Sequence, residues 1–202
     1  MRILILTHPR SGGMSLMSWI SNEKDYTSYH EPKLNDDILK HTIMTENNIV
    51  VKMFPQNIKS EEFENFINSF DKVIVHKRDN ITDVSISLLY GDINEDFNMH
   101  TTYNMDDKWK EEHNNQIEHY KTIVNELYDR LNNIPVSKCI HTTYESIYIN
   151  KEDVNVICNY LNIFNPRWLD IIDKKRRLQN GAAGMKGYKQ SIQVANKNRT
   201  II

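Results

Sequence analysis

The sequence predicts an α/β domain on a mainly parallel sheet, from three observations. Short β-type runs alternate with helical segments along the 202 residues. No internal repeat or low-complexity linker interrupts the alternation. A glycine-bearing turn follows the first apolar run and opens a helix, the place where open α/β sheets bind anions. In chain order, Arg2–Thr7 reads as a strand and Met14–Ser21 as a helix. Tyr26–Tyr29 is a weak second strand, followed by a helix over Leu34–Met44. Ile49–Met53 is a strand, Ser60–Phe70 a helix, Lys72–His76 a strand and Ile81–Tyr90 a helix. Residues 91–107 lack periodicity and carry five acidic side chains, Asp92, Glu95, Asp96, Asp106 and Asp107. They read as a long exposed loop of the kind that forms lids or substrate-binding segments. The longest helix is expected from about Asp106 to Leu131, with Trp109, His113, Tyr120, Ile123, Val124, Leu127 and Leu131 at helical spacing as core packing. Val136–Thr142 closes the strands and Lys151–Leu161 the helices.

Composition bounds the class. A chain of this length is one domain that buries roughly 70% of its unfolded surface and needs no disulfide or metal staple. Cys139 and Cys158 sit in apolar stretches, as reduced buried thiols do. No apolar run approaches the roughly 18 residues of a membrane span, and Ile3–Leu6 is too short for a signal-peptide core. The expectation is a soluble cytoplasmic protein without a membrane partner. The 24 Asn against 3 Ala look like low-GC coding, as in a phage or AT-rich microbe, and carry little structural information. With 25 Lys+Arg against 27 Asp+Glu the net charge of −2 argues against a general nucleic-acid binder. That balance hides a segregation. Residues 1–173 carry 17 basic and 27 acidic groups, whereas residues 174–202 carry 8 basic groups and no acidic one. The chain therefore divides into an α/β domain over 1–173 and a basic C-terminal segment over 174–202.

The most informative segment is Thr7-His8-Pro9-Arg10-Ser11-Gly12-Gly13-Met14-Ser15-Leu16. Gly12 and Gly13 let the backbone approach a ligand, and freed N–H groups with the helix dipole favour a phosphate or sulfate. Arg10 adds a forked, permanently charged donor. An ATP- or GTP-hydrolysing P-loop needs Gly-Lys-Ser/Thr at the end of this turn and a strand ending in a metal-binding carboxylate. Neither is present: Ile49-Val50-Val51-Lys52 and Val73-Ile74-Val75-His76-Lys77-Arg78 end in cations. Those strand ends make a metal-free anion site, suited to a donor that carries phosphates and a transferable group of low charge. No His/Cys cluster has ligand spacing for a metal.

These residues resemble a PAPS-dependent sulfotransferase. Pro9-Arg10-Ser11-Gly12-Gly13 is similar to that family's 5′-phosphosulfate loop, although Gly13-Met14 stands where two Thr or Ser residues are usual. The resemblance implies that Arg10 neutralises the departing bridging oxygen and that the N–H groups of Ser11, Gly12, Gly13, Met14 and Ser15 hold the 5′-phosphate. Arg78-Asp79-Asn80-Ile81-Thr82-Asp83-Val84-Ser85-Ile86-Ser87 resembles the 3′-phosphate motif, which implies Arg78 with Ser87, or with Ser85 given one extra intervening residue. Thr143-Tyr144-Glu145 with the helix behind it resembles the family's Tyr-Glu-Asp segment, which places Tyr144 on the adenine.

The acceptor hydroxyl must lose a proton as it attacks sulfur. Glu31 lies 21 residues beyond Arg10, after the weak second strand, which is similar to tyrosylprotein and some carbohydrate sulfotransferases. The cytosolic small-molecule enzymes use instead a His two residues after a strand-ending Lys, and here Lys52-Met53-Phe54-Pro55 keeps only the Lys. Glu31 is the first candidate base and His30 the second. Lys52 meets charge on the transferring sulfuryl group. In the basic segment, Gln179-Asn180-Gly181-Ala182-Ala183-Gly184 keeps a Gly-x-x-Gly like the family's nucleotide lid, with Arg176, Arg177 and Lys186 as cations for the 3′-phosphate. PAPS is thus the expected co-substrate and PAP its product, with a hydroxyl-bearing acceptor whose class is left open. Two other readings compete: a nucleotide or nucleoside kinase on a P-loop scaffold, and a non-catalytic nucleic-acid-binding protein using its basic tail. The oligomeric state is not legible.

Overall fold

In a computed structural model, residues 1–93, 107–134, 139–164 and 166 are described. The chain divides into a unit of residues 1–99 and 104–166 and a second of 100–103 and 167–202. The second lies outside the described residues, as do the cations Arg176, Arg177 and Lys186 and the proposed lid.

The first unit is an α/β fold on a parallel sheet. It runs β1 (Arg2–Thr7), α1 (Gly13–Lys24), β2 (Thr27–His30), α2 (Asp37–Thr45), β3 (Ile49–Met53), α3 (Phe63–Asn68), β4 (Lys72–Lys77), α4 (Ile81–Ile93), α5 (Asp107–Glu112), α6 (Asn114–Asn132), β5 (Cys139–Thr143) and α7 (Glu152–Leu161). Two 3₁₀ turns, Pro55–Asn57 and Ser60–Glu62, precede α3, and a π-turn, Glu145–Ile149, precedes α7. The five strands are all parallel in the order β2-β3-β1-β4-β5. Ile3, Leu4, Ile5 and Leu6 are wholly buried, as a central strand covered on both faces requires. The chain leaves β1 toward β2, returns through β3 and then crosses to β4. The strand order therefore reverses about β1, and the crevice such a reversal opens lies at the carboxyl end of β1. Register lines up the residues there: His30 lies opposite Lys52, Thr7 opposite His76, and Lys77 opposite Thr143.

Most elements fall where the sequence places them, and the departures have local causes. Helix α2 starts at Asp37 rather than Leu34, because the Asp36 carboxylate accepts the N–H groups of Ile38 and Leu39 at 3.1 Å and sets the cap there. The segment expected as one helix over Ser60–Phe70 is a 3₁₀ turn followed by the short α3. The long helix is two, broken at His113. Its ring nitrogen Nδ1 hydrogen-bonds the Trp109 carbonyl at 2.8 Å, and its ring stacks on Trp109 at 4.2 Å. The buried face of α6 is Ile117, Val124, Tyr128 and Leu131, while Ile123 is exposed and nothing on α5 is buried. Both cysteines are buried free thiols. No helix among the described residues is long and apolar enough to cross a membrane.

Candidate functional site

The loop between β1 and α1 is shaped by two positive-φ residues, Arg10 (φ 64°) and Gly12 (φ 87°). A Cβ on Gly12 would lie 2.8 Å from the Tyr144 ring and 3.0 Å from the Tyr148 ring, so glycine is required by both conformation and space. Gly13 is equally confined, with its missing Cβ 2.9 Å from the Thr7 methyl. The Ser11 hydroxyl hydrogen-bonds that of Thr7 and accepts the Gly13 N–H at 3.3 Å. The Gly12 carbonyl accepts the Ser15 N–H at 3.0 Å and the Tyr148 hydroxyl at 2.9 Å. The Ser15 side chain hydrogen-bonds Tyr148, whose hydroxyl burial pushes to a higher pKa. From below, His76 at the end of β4 donates Nε2–H to the Ser11 carbonyl at 3.0 Å, while its Nδ1 pairs with Thr142 Oγ1 at 3.0 Å. The ring is fully buried.

Arg10 and Ser87 meet: Arg10 donates Nε–H to the Ser87 hydroxyl at 2.6 Å. Ser87 thus stands with Arg10 and not with Arg78, and Ser85 bonds back to the Ile81 carbonyl of its own helix at 2.8 Å. Arg78 is held elsewhere. Its guanidinium pairs with Asp83 at 2.7 Å, lies 3.8 Å from Glu145 and sits 4.8 Å from the Tyr144 ring. Its Nε is buried without a hydrogen-bond partner among the described residues. Glu145 also accepts the N–H groups of Asp79 at 2.9 Å and Asn80 at 3.3 Å, capping the entry to α4 with a carboxylate.

Both backbone polar groups of Arg78 are clamped. His8 Nε2 accepts its N–H at 3.0 Å, and the Tyr128 hydroxyl donates to its carbonyl. His8 is fixed in the Nδ1–H tautomer, donating to the Pro9 carbonyl at 2.6 Å, and its ring lies 4.8 Å from that of Tyr128. Burial lowers the His8 pKa to about 4, with the charges of Arg78, Lys52 and Lys77 acting in the same direction.

At the other end of the crevice, β2 and β3 bring Glu31, His30 and Lys52 together. Lys52 is 5% exposed, its ammonium hydrogen-bonds Glu31 Oε1, and it lies 3.9 Å from the centre of the Phe54 ring. His30 Nε2 reaches the same carboxylate oxygen at 3.0 Å. Glu31 is a positive-φ residue (φ 46°), and its N–H donates to the Lys52 carbonyl at 2.9 Å, extending the ladder one residue beyond β2. Burial alone would raise the Glu31 pKa, but the hydrogen bond to His30 and the charge of Lys52 together hold it below the usual carboxylate range. Glu31 also opens onto a cleft of about 650 Å³ between the 31–37 loop, α2 and the two 3₁₀ turns.

Of the residues expected at the site, Arg10, Ser11, Gly12, Gly13, Met14 and Ser15 occupy the β1–α1 loop, and Glu31, His30 and Lys52 form one cluster. Tyr144 stands against Gly12 and Arg78. Sequence reading missed His8, His76, Tyr128, Tyr148 and Glu145. The only signal for His76 was a histidine inside an otherwise apolar strand, and for Tyr128 a tyrosine on the apolar stripe of a helix. No group of side chains that could hold a metal ion occurs among the described residues.

No family model matches the chain, and no curated protein matches it. Among solved structures, the YorR protein of Bacillus subtilis in complex with phosphorylated GDP is similar over 79% of this chain and 95% of that one, at 11% identity and a TM-score of 0.49.

Proposed function

We propose that the chain transfers a sulfuryl group from PAPS to an acceptor hydroxyl. The observation that carries this reading is the Lys52–Glu31 pair: a buried ammonium and an ionised carboxylate on adjacent strand ends, beside the strand that opens into the glycine loop. In the proposed step the acceptor oxygen bonds to sulfur as the bond from sulfur to the 5′-phosphate oxygen of PAP breaks. The acceptor proton passes to Glu31, which is held in its ionised, proton-accepting form. Lys52 meets the charge on the sulfuryl oxygens and Arg10 that on the departing phosphate oxygen. The loop from Ser11 to Ser15 takes the 5′-phosphate. Arg78 takes the 3′-phosphate and Tyr144 the base.

Calorimetric titration with PAP at low salt tests the reading, with an expected Kd of about 1–50 µM. An absence of binding over that range overturns it. With labelled PAPS, Glu31→Gln should lower turnover by about 10²–10⁴-fold with no loss of PAP affinity. A parallel loss of nucleotide affinity would remove Glu31 from the base role.

A further inference from the structure

We infer that the acceptor is a hydroxyl-rich saccharide, bound in the cleft that opens at Glu31. The inference rests on the sulfuryl-transfer reading for its reaction and on the cleft wall for its substrate class. The volume of about 650 Å³ suits a ligand of one to a few sugar rings. Among the described residues the wall carries no aromatic side chain, and its only apolar residues are Pro32 and Leu34. A flat phenol therefore finds no ring to stack on. A sugar presents hydroxyls that both donate and accept, and the wall carries both kinds of group.

The donors and acceptors come from three separate elements. Asn35 and Lys33 lie on the loop leaving β2, Lys40 on α2, and Asn57 and Lys59 on the turns before α3. Lys40 is paired with Glu62 at 2.6 Å across the cleft, which ties α2 to the second turn. Lys33 and Lys59 have no ion-pair partner among the described residues. They and the two amides remain to bond a ligand, and Glu31 at the edge of the same cleft is the group that accepts the proton of whichever hydroxyl reaches it.

The test uses the full chain with labelled PAPS and a panel of mono- to tetrasaccharides, against 2-naphthol and a tyrosine peptide. Label on a saccharide, with little on the naphthol or the peptide, is the expected result. Asn57→Ala and Lys59→Ala should then raise the saccharide KM about 5- to 20-fold and leave PAP affinity unchanged. Preferential labelling of naphthol or peptide overturns the inference, as does PAP binding with no saccharide labelled. If PAP does not bind, the nucleotide reading has failed, and the cleft is judged alone by ligand-observed NMR with the same panel and no nucleotide. Saccharide binding weakened by Asn57→Ala then supports the cleft assignment, and no binding overturns it.

Discussion

The two ends of the crevice hold their cations by different means. At the β2/β3 end, Lys52 is buried and its ammonium is answered by the single carboxylate of Glu31, with His30 beside it. At the β4/α4 end, Arg78 meets two carboxylates and a ring, and its backbone is clamped by His8 and Tyr128. Geometry at the first end follows from strand register, because β2 and β3 pair directly. Geometry at the second depends on side chains 50 and 70 residues away in sequence. The first arrangement leaves a partly exposed carboxylate beside the ammonium. The second fixes where a cation stands, whatever its side chain is bonded to.

The largest effect should come from the clamp. The His8 pKa of about 4 in the fold lies below the ordinary 6.5. Between those values the unfolded chain binds a proton that the folded chain refuses. His8 therefore contributes stability that is fully present above about pH 6.5, falls as pH drops toward 4, and changes no further below that. The loss is about 3 kcal/mol, because each tenfold difference in proton affinity between the folded and unfolded chain is worth about 1.4 kcal/mol. Urea midpoints measured from pH 7 to pH 4 should show it, and His8→Gln, which cannot titrate, should flatten that part of the profile. An unchanged slope would mean that the β4/α4 end does not depend on a neutral imidazole.

Next comes the cation of the other end. Lys52→Met keeps the stem and removes the ammonium, leaving Glu31 half-buried without its main partner. Because Glu31 retains His30 and some solvent, the cost should be about 2 kcal/mol rather than that of a fully buried orphan. Adding Glu31→Gln should recover about 1 kcal/mol. Arg78→Met should cost less, about 1 kcal/mol, since Asp83 is nearly half exposed and Glu145 keeps its two backbone donors. Denaturation at pH 7 of the three variants checks the ranking, and equal losses at Lys52 and Arg78 would erase the distinction between the ends.

The same contrast explains what the sequence could and could not disclose. Apolar runs placed all five strands, and a short turn with Gly12 and Gly13 after β1 marked the loop, because both are local consequences of backbone sterics and burial. Lys52 lies near the end of β3 and Glu31 directly follows β2, and parallel neighbours bring such positions together, whereas a base role for Glu31 comes only from the family resemblance. The family resemblance pairs Ser87 with Arg78, yet Ser87 bonds Arg10, since a helix face is met by whatever the β1 loop sends across it. His8, His76 and Tyr148 support the loop through contacts 65 to 136 residues apart, which no periodicity encodes. The break at His113 was hidden for the opposite reason: it is local, but arises from a side chain competing for its own helix carbonyl.

The smallest effect on stability should carry the sharpest information on ligand binding. Asp83 is nearly half exposed, and its pair with Arg78 is worth at most about 1 kcal/mol. It lies in the first turn of α4, where a negative charge adds a few tenths more. Asp83→Asn should therefore shift the denaturation midpoint only slightly. On the proposed reading it also removes a carboxylate that a 3′-phosphate would have to displace from Arg78. PAP affinity should rise about 3- to 10-fold, a gain of about 1 kcal/mol, while adenosine 5′-phosphosulfate, which lacks the 3′-phosphate, should gain nothing. Calorimetry with both nucleotides reads the difference directly. An equal gain for both would move Arg78 from the 3′-phosphate to the shared part of the nucleotide, and no gain for either would leave it as a structural cation of the α4 entry.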